Sequence, residues 1–340
     1  MKTSEEKISL AHGAGGAAMM KLIVDVALKE LSLRRAGEVG LDELDDGATI
    51  SFGDKTLVLT TDSHTIKPLF FPGGDIGRLA IAGTVNDLAV MGARPLAMAC
   101  AAVFEEGFLV EDFRKICRSI DVAAREANVP LITGDTKVME RGALDGAVLT
   151  TTGIGVTKNL ITDRGLKPGD KIITTGSIGD HGITILAHRE GIGVDVDLKS
   201  DVAPIWETIA AALEVGGVTA MKDPTRGGMA AALNEMASKA NVGILVKEAD
   251  IPILPAVRST SEMLGIDPLQ ITNEGKAIIG VEPARCDDVL AAVRKTKYGG
   301  GACVIGKVMT DHPGDVMLET MVGGRRLLES PIGDPAPRIC

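Results

Sequence analysis

Short apolar runs and longer stretches with helical spacing take turns along this chain, separated by glycine-rich breaks. Leu57-Val58-Leu59-Thr60-Thr61 reads as a strand ending at Asp62. Gly73-Gly74 breaks the chain, and Asp75 is placed to cap a helix starting near Ile76, with Ile76, Leu79, Ala80 and Gly83 on one side and a continuation to Leu88 and Met91. A strand follows over 96–103, then an amphipathic helix over 111–127 with Phe113, Ile116, Ile120 and Ala124 inward. An apolar strand from Pro130 ends at Asp135, and a β-rich run covers 147–157. The turn Leu166-Lys167-Pro168-Gly169-Asp170 marks a boundary at about 158–170. Beyond it the pattern predicts strands over 171–175, 243–247, 277–281 and 302–308, and helices over 181–189, 202–215, 229–240, 253–264 and 285–295. Strands alternating with helices in both halves predict an α/β (α+β) class in two domains, 41–157 and 170–328. A Gly-rich segment (1–40) precedes them and a tail (329–340) follows.

The length of 340 residues suits two domains of ordinary size. With 45% hydrophobic but only 2% aromatic residues, the core has to be built from aliphatic side chains and Met. A net charge of -10, few stacking rings and no long basic run argue against a nucleic-acid partner. Met1 to Lys7 is polar and no apolar run reaches membrane-spanning length, so a cytoplasmic chain with no leader and no membrane contact is expected. Four of the five cysteines sit in apolar surroundings and read as small core residues. Cys340 differs, because it ends a stretch with three Pro and one Gly in twelve residues. Such a segment is expected to be extended and mobile, with a reach of roughly 40 Å.

Asn86 and Asp87 interrupt an otherwise apolar helix. A carboxylate among Ala, Val, Leu and Met has to find a counter-charge or hydrogen bonds. Asp62 at a strand end and Asp87 on the next helix suit one shared cation, expected to be Mg²⁺ carrying phosphates. Asp46, in the acidic run 41–48, adds a third carboxylate, and Gly134-Asp135-Thr136-Lys137 repeats the strand-end pattern where open α/β sheets gather ligands. His12-Gly13-Ala14-Gly15-Gly16 ahead of a helix over 17–31 has the make-up of a phosphate cradle. It only loosely matches a dinucleotide fingerprint, and GxxxxGK[ST] is absent. Taken singly, each of these residues also fits a blander role: a helix cap, a solvated turn, an empty loop.

Together, TTDSH at 60–64, FFPGGDIGRLAIAGTVNDLAVMGARP at 70–95, GDTKV at 134–138, DPTRGG at 223–228, NEGK at 273–276 and the closing PRIC resemble the HypE family of hydrogenase maturation proteins. That family lies within the aminoimidazole ribonucleotide synthetase (PurM-like) superfamily, and the resemblance spans nearly the whole chain. It implies two α/β domains, with N-terminal sheets pairing across a homodimer. It implies Mg²⁺ held by Asp46, Asp62, Asp87 and Asp135, and ATP bound with help from His12, Gly13, Gly15, Gly16, Thr60, Asn86, Gly134 and Asp223. It implies a substrate: the carbamoyltransferase HypF carbamoylates the Cys340 thiol, ATP-dependent dehydration gives a thiocyanate, and the cyanide passes to iron on a HypC–HypD complex. Lys137 would stabilise the transferring phosphoryl group, with Glu274 and His64 as candidate bases. The alternatives are a small-molecule enzyme of the same fold, a non-catalytic thiol carrier and a dinucleotide oxidoreductase. Selenophosphate synthesis is disfavoured because no Cys precedes Cys100.

Overall fold

A computed structural model describes residues 7–13, 16–192, 197–331, 333, 336 and 338–340. The predicted helix over 17–31 is two short helices, α1 (Gly16–Leu22) and α2 (Leu28–Glu30), joined by a wide turn at Ile23–Ala27. The N-terminal domain then runs through β1 (Ala48–Phe52), β2 (Lys55–His64), the small pair β3 (Phe70–Phe71) and β4 (Gly74–Asp75), α3 (Ile76–Val90), β5 (Arg94–Glu105), α4 (Val110–Ala127), β6 (Leu131–Met139) and β7 (Ala147–Thr157). Its sheet has the order β1-β2-β7-β5-β6, with only β5 and β6 parallel. The Asp75 carboxylate caps α3 as predicted, accepting from Gly77 N and Arg78 N. Nearly every α3 residue is buried, because one side of the helix meets the sheet and the other meets the second domain, where Ala89 and Val90 pack with Ile205, Ile209 and Met221.

The C-terminal domain holds β8 (Lys171–Thr174), α5 (Asp180–Arg189), α6 (Trp206–Val215), β9 (Val218–Lys222), α7 (Gly228–Ala240), β10 (Gly243–Lys247), α8 (Pro255–Leu264), β11 (Ile278–Val281), α9 (Cys286–Arg294), β12 (Cys303–Met309), β13 (Val316–Glu319) and β14 (Arg325–Leu327). These strands form a sheet in the order β14-β13-β10-β12-β8-β11-β9, mostly antiparallel, with β10 and β13 parallel. Met229, Leu233 and Met236 of α7 pack on Ile244 and Val246. Three strands of this domain (β9, β13, β14) lie outside the sequence pattern. Helix α6 starts four residues later than predicted, since Pro204 keeps the residue before it out of the helical region. Among the described residues no helix is long and apolar enough to cross a membrane.

Polar ties join the two domains. Asn86 Nδ2 donates to the Ala203 and Glu274 carbonyls, and its Oδ1 accepts from Ile205 N. Arg78 pairs with Glu126 at 2.7 Å and also donates to Val202 O and Tyr298 Oη.

Candidate functional site

A cavity of about 270 Å³ opens between the domains. Strand β2 supplies Thr60 and Asp62, α3 supplies Asp87, and the second domain supplies Asp223, Arg226 and Glu274. Helix α3 approaches β2 closely because residue 83 is glycine: a Cβ there would sit 3.0 Å from His64 Cε1. Arg226 is delivered by the Asp223–Gly228 turn, where Gly227 and Gly228 adopt φ of +79° and +62°. A side chain at 228 would also collide with the Ile271 carbonyl at 2.6 Å.

Among the described residues, seven carboxylates line this cavity against two cations, Lys222 and Arg226. Burial pushes Asp87 well above the usual carboxylate range, and Asp223, Asp62 and Asp46 push it further; Thr60 Oγ1, donating to Asp87 Oδ2 at 2.8 Å, opposes them. Asp223 is pushed up to about 8 by burial and then by Asp46, with Lys222 opposing. Glu274 is likewise raised well above its ordinary value, first by burial and then by Asp223 and Asp62. Asp46 Oδ2, Asp223 Oδ2 and Glu274 Oε1 are buried without a hydrogen-bond partner. Lys222 Nζ sits 2.7 Å from Asp46 Oδ1 and 3.3 Å from Glu235. Burial alone would lower its pKa, but Asp46, Glu235 and Asp163 outweigh burial and hold it well above the usual value. Crowded, unpaired carboxylates suit a divalent cation. They are not a preassembled cage: among the described residues no three His, Cys, Asp or Glu stand close enough to hold a metal by themselves.

Cys340 also lines the cavity. The tail, expected to be mobile, has its last three residues seated in the protein. Thr65 N donates to Cys340 O at 3.2 Å and Lys67 N to Arg338 O at 3.0 Å. Ile339 is buried in the main apolar cluster with Ile183 and Ile271. Negative charge at Cys340 is the largest influence raising the Arg226 guanidinium.

The structure brings together seven of the sixteen residues singled out by the sequence. Asp46, Thr60, Asp62, Asp87, Asp223, Glu274 and Cys340 share the cavity. Asp62 lies within β2 rather than at its end, and Asp135 lies mid-way along β6. Gly134, Asp135 and Lys137 do not reach their own chain's cavity. Asp135 pairs with Ala101, Ala101 with Thr150, and Thr150 with Ser63, so three strand spacings (about 14 Å) separate it from β2. There Asp135 meets Lys137 at 3.0 Å on the exposed edge. His64 lies behind the lining, 1% exposed, with Nε2 3.7 Å from Asp62 and 3.3 Å from Thr151 Oγ1. Burial lowers its pKa, which leaves it a neutral ring under the floor. Asn86 ties the domains, as described above. His12 accepts from Ser9 N, and neither it nor Gly13 lines the cavity; Gly15 lies outside the described residues. Gly16 opens α1, which reaches the cavity through Met19 and Met20 instead. Arg226 and Lys222 were not singled out, although Arg226 stands inside the DPTRGG motif and Lys222 directly before it. Their roles appear only once the carboxylates are assembled around them.

Residues 44–157 match the family described as AIR synthase related protein, N-terminal domain, and residues 167–319 match its C-terminal domain. A putative hydrogenase expression/formation protein of Methanocaldococcus jannaschii is 50% identical over 338 residues, covering 98% of this chain and 100% of its own. Carbamoyl dehydratase HypE of Azotobacter vinelandii is 44% identical over 337 residues, covering 98% and 97%. The crystal structure of hydrogenase maturation protein HypE in complex with ATP superposes with a TM-score of 0.82 at 40% identity, covering 97% of this chain and 99% of that one. A HypE–HypF complex gives 0.84 at 38% identity, covering 91% and 99%.

Proposed function

Since the chain belongs to the HypE family of hydrogenase maturation proteins, an ATP-dependent carbamoyl dehydratase family, we propose that its reactant is its own Cys340. The observation that carries this reading is the seating of Cys340 in the carboxylate cavity, beside Arg226 and Glu274. Cys340 arrives S-carbamoylated by HypF and leaves as a thiocyanate, whose cyanide passes to iron on a HypC–HypD complex. The group loses its oxygen and two N–H protons, which together make one water. When bound, ATP supplies the phosphoryl group that makes that oxygen a leaving group, and Mg²⁺ offsets the charge of the phosphates. Asp46, Asp62, Asp87 and Asp223 are the residues that would hold the cation. Glu274, which lines the cavity with its buried Oε1 unpartnered, is the carboxylate placed to accept an N–H proton. Arg226 offsets negative charge developing near the carbamoyl carbon. His64 is the weaker base, being walled off from the cavity.

The sheet edge supports a homodimer. All nine residues of β6 are exposed, including Leu131, Ile132, Val138 and Met139, and an uncovered apolar edge strand invites pairing with a second copy. Pairing there would offer Asp135 and Lys137 to the neighbouring chain. Ile132→Lys should therefore yield a monomer by sedimentation velocity. Among the described residues no two cysteines form a disulfide, which suits a reducing cytoplasm.

The reading is tested with a chain carbamoylated at Cys340 and given ATP and Mg²⁺. Its C-terminal peptide should lose the mass of one water, and an unchanged mass overturns the assignment. Cys340→Ala should form no product while melting at the wild-type temperature.

A further inference from the structure

Each of the last three carbonyls of the chain is taken by a donor. Arg338 O accepts from Lys67 N at 3.0 Å and from Arg189 Nη2 at 2.9 Å. Ile339 O accepts from His181 Nε2 at 2.5 Å, and Cys340 O accepts from Thr65 N at 3.2 Å. Thr65 and Lys67 belong to the N-terminal domain, while His181 and Arg189 belong to α5 of the other, so the tail is gripped from both sides of the cavity.

His181 is the most constrained of these donors. It is fully buried, with Phe71 edge-on at 5.5 Å. Ile339 O can only accept, so His181 Nε2 has to be the donor; Nδ1 of the neutral ring then accepts from the Ser200 hydroxyl at 2.7 Å, whose oxygen in turn accepts from Val202 N at 3.1 Å. The Ile339 side chain packs beside Gly182, where a Cβ would come within 3.2 Å of Ile339 Cδ1. A side-chain socket and a single fixed donor thus meet at the same tail residue.

We propose that His181, oriented by Ser200, is the positioning residue that sets the register of the tail and so places the Cys340 sulfur in the cavity. A slip of one residue would bring the Arg338 or Cys340 carbonyl opposite His181, strip Ile339 from its socket and move the thiol out of reach. The consequence for turnover rests on Cys340 being the reactant; the register does not.

The test uses the full chain without nucleotide and follows alkylation of Cys340 by iodoacetamide, read by mass spectrometry of the C-terminal peptide. Alkylation reports the released fraction of the tail. His181→Ala leaves the Ile339 carbonyl unpaired and should raise the rate about tenfold, while His181→Gln, which keeps a donor, should recover most of the protection. Ser200→Ala, at a half-buried position, should give a smaller rise with the core untouched. In the carbamoylated chain, His181→Ala should lower kcat for dehydration with the KM for ATP unchanged. Alkylation of His181→Ala and Ser200→Ala at the wild-type rate overturns the proposal, as does a Gln variant no better protected than Ala. If the wild-type chain shows no loss of water while His181→Ala still frees the thiol, the functional reading falls and the register assignment stands.

Discussion

One carboxylate on the seam and a group of them in the cavity sit between the same two domains and are treated in opposite ways. Along the seam, Glu126 receives Arg78 at 2.7 Å, Lys297 at 2.5 Å and the Tyr298 hydroxyl. Burial would raise its pKa, but these donors outweigh burial and pull it down to about 2. In the cavity, Asp87, Asp223 and Glu274 are buried with too few donors, and their pKa values rise. The seam spends its donors on holding the domains together. The cavity withholds them, which leaves acidic groups that a cation and phosphates can satisfy. The folded state is destabilised by that surplus of charge, a cost expected where a site has to bind something absent from the bare chain.

Exchanging charge for neutral isosteres sharpens the contrast. Asp87→Asn should cut ATP turnover by at least about a hundredfold. It should also stabilise the bare protein by about 1–2 kcal/mol, because it removes a repelled buried charge. Steady-state ATPase assays and urea melts would show both, and an active Asp87→Asn enzyme would take this residue out of the site. Glu126→Gln should do the reverse, costing about 1–2 kcal/mol of stability with turnover intact. The smallest effect is in pH dependence, where the two regions should slope oppositely. Glu126 falls from an ordinary 4.5 to about 2, so its contribution is complete above about pH 5 and lost as pH falls toward 2. Asp223 rises from 3.8 to about 8, so its contribution is complete below about pH 4 and lost as pH rises toward 8. Thermal melts of wild type and Glu126→Gln should therefore differ by a constant gap above about pH 5 that closes as pH falls toward 2, and added Mg²⁺ should flatten only the neutral-to-alkaline decline.

Much of the site could be read in the sequence because its residues break local rules. Asp87 in an apolar helix and Gly-Gly pairs at two helix starts are signals that need no partner to be visible. Asp62 and Asp135 show where such reading stops. Both close similar apolar runs, yet β2 borders the cavity and β6 is the far edge of the sheet, because strand order is set by long-range pairing. The tail shows the same limit. Three prolines predict an extended segment, but its seat is made by Thr65, Lys67 and His181, more than 150 residues away along the chain.

The sequence by itself determined the alternating elements, the helix caps, the aliphatic core and the surplus of acid, since each follows from backbone propensity or composition within a few residues. Only the tertiary structure decided which acids share a cavity, that Arg226 and Lys222 are the cations lining it among the described residues, and where Cys340 comes to rest. Those facts depend on burial and on distances between segments remote in sequence, and local preference carries no information about either.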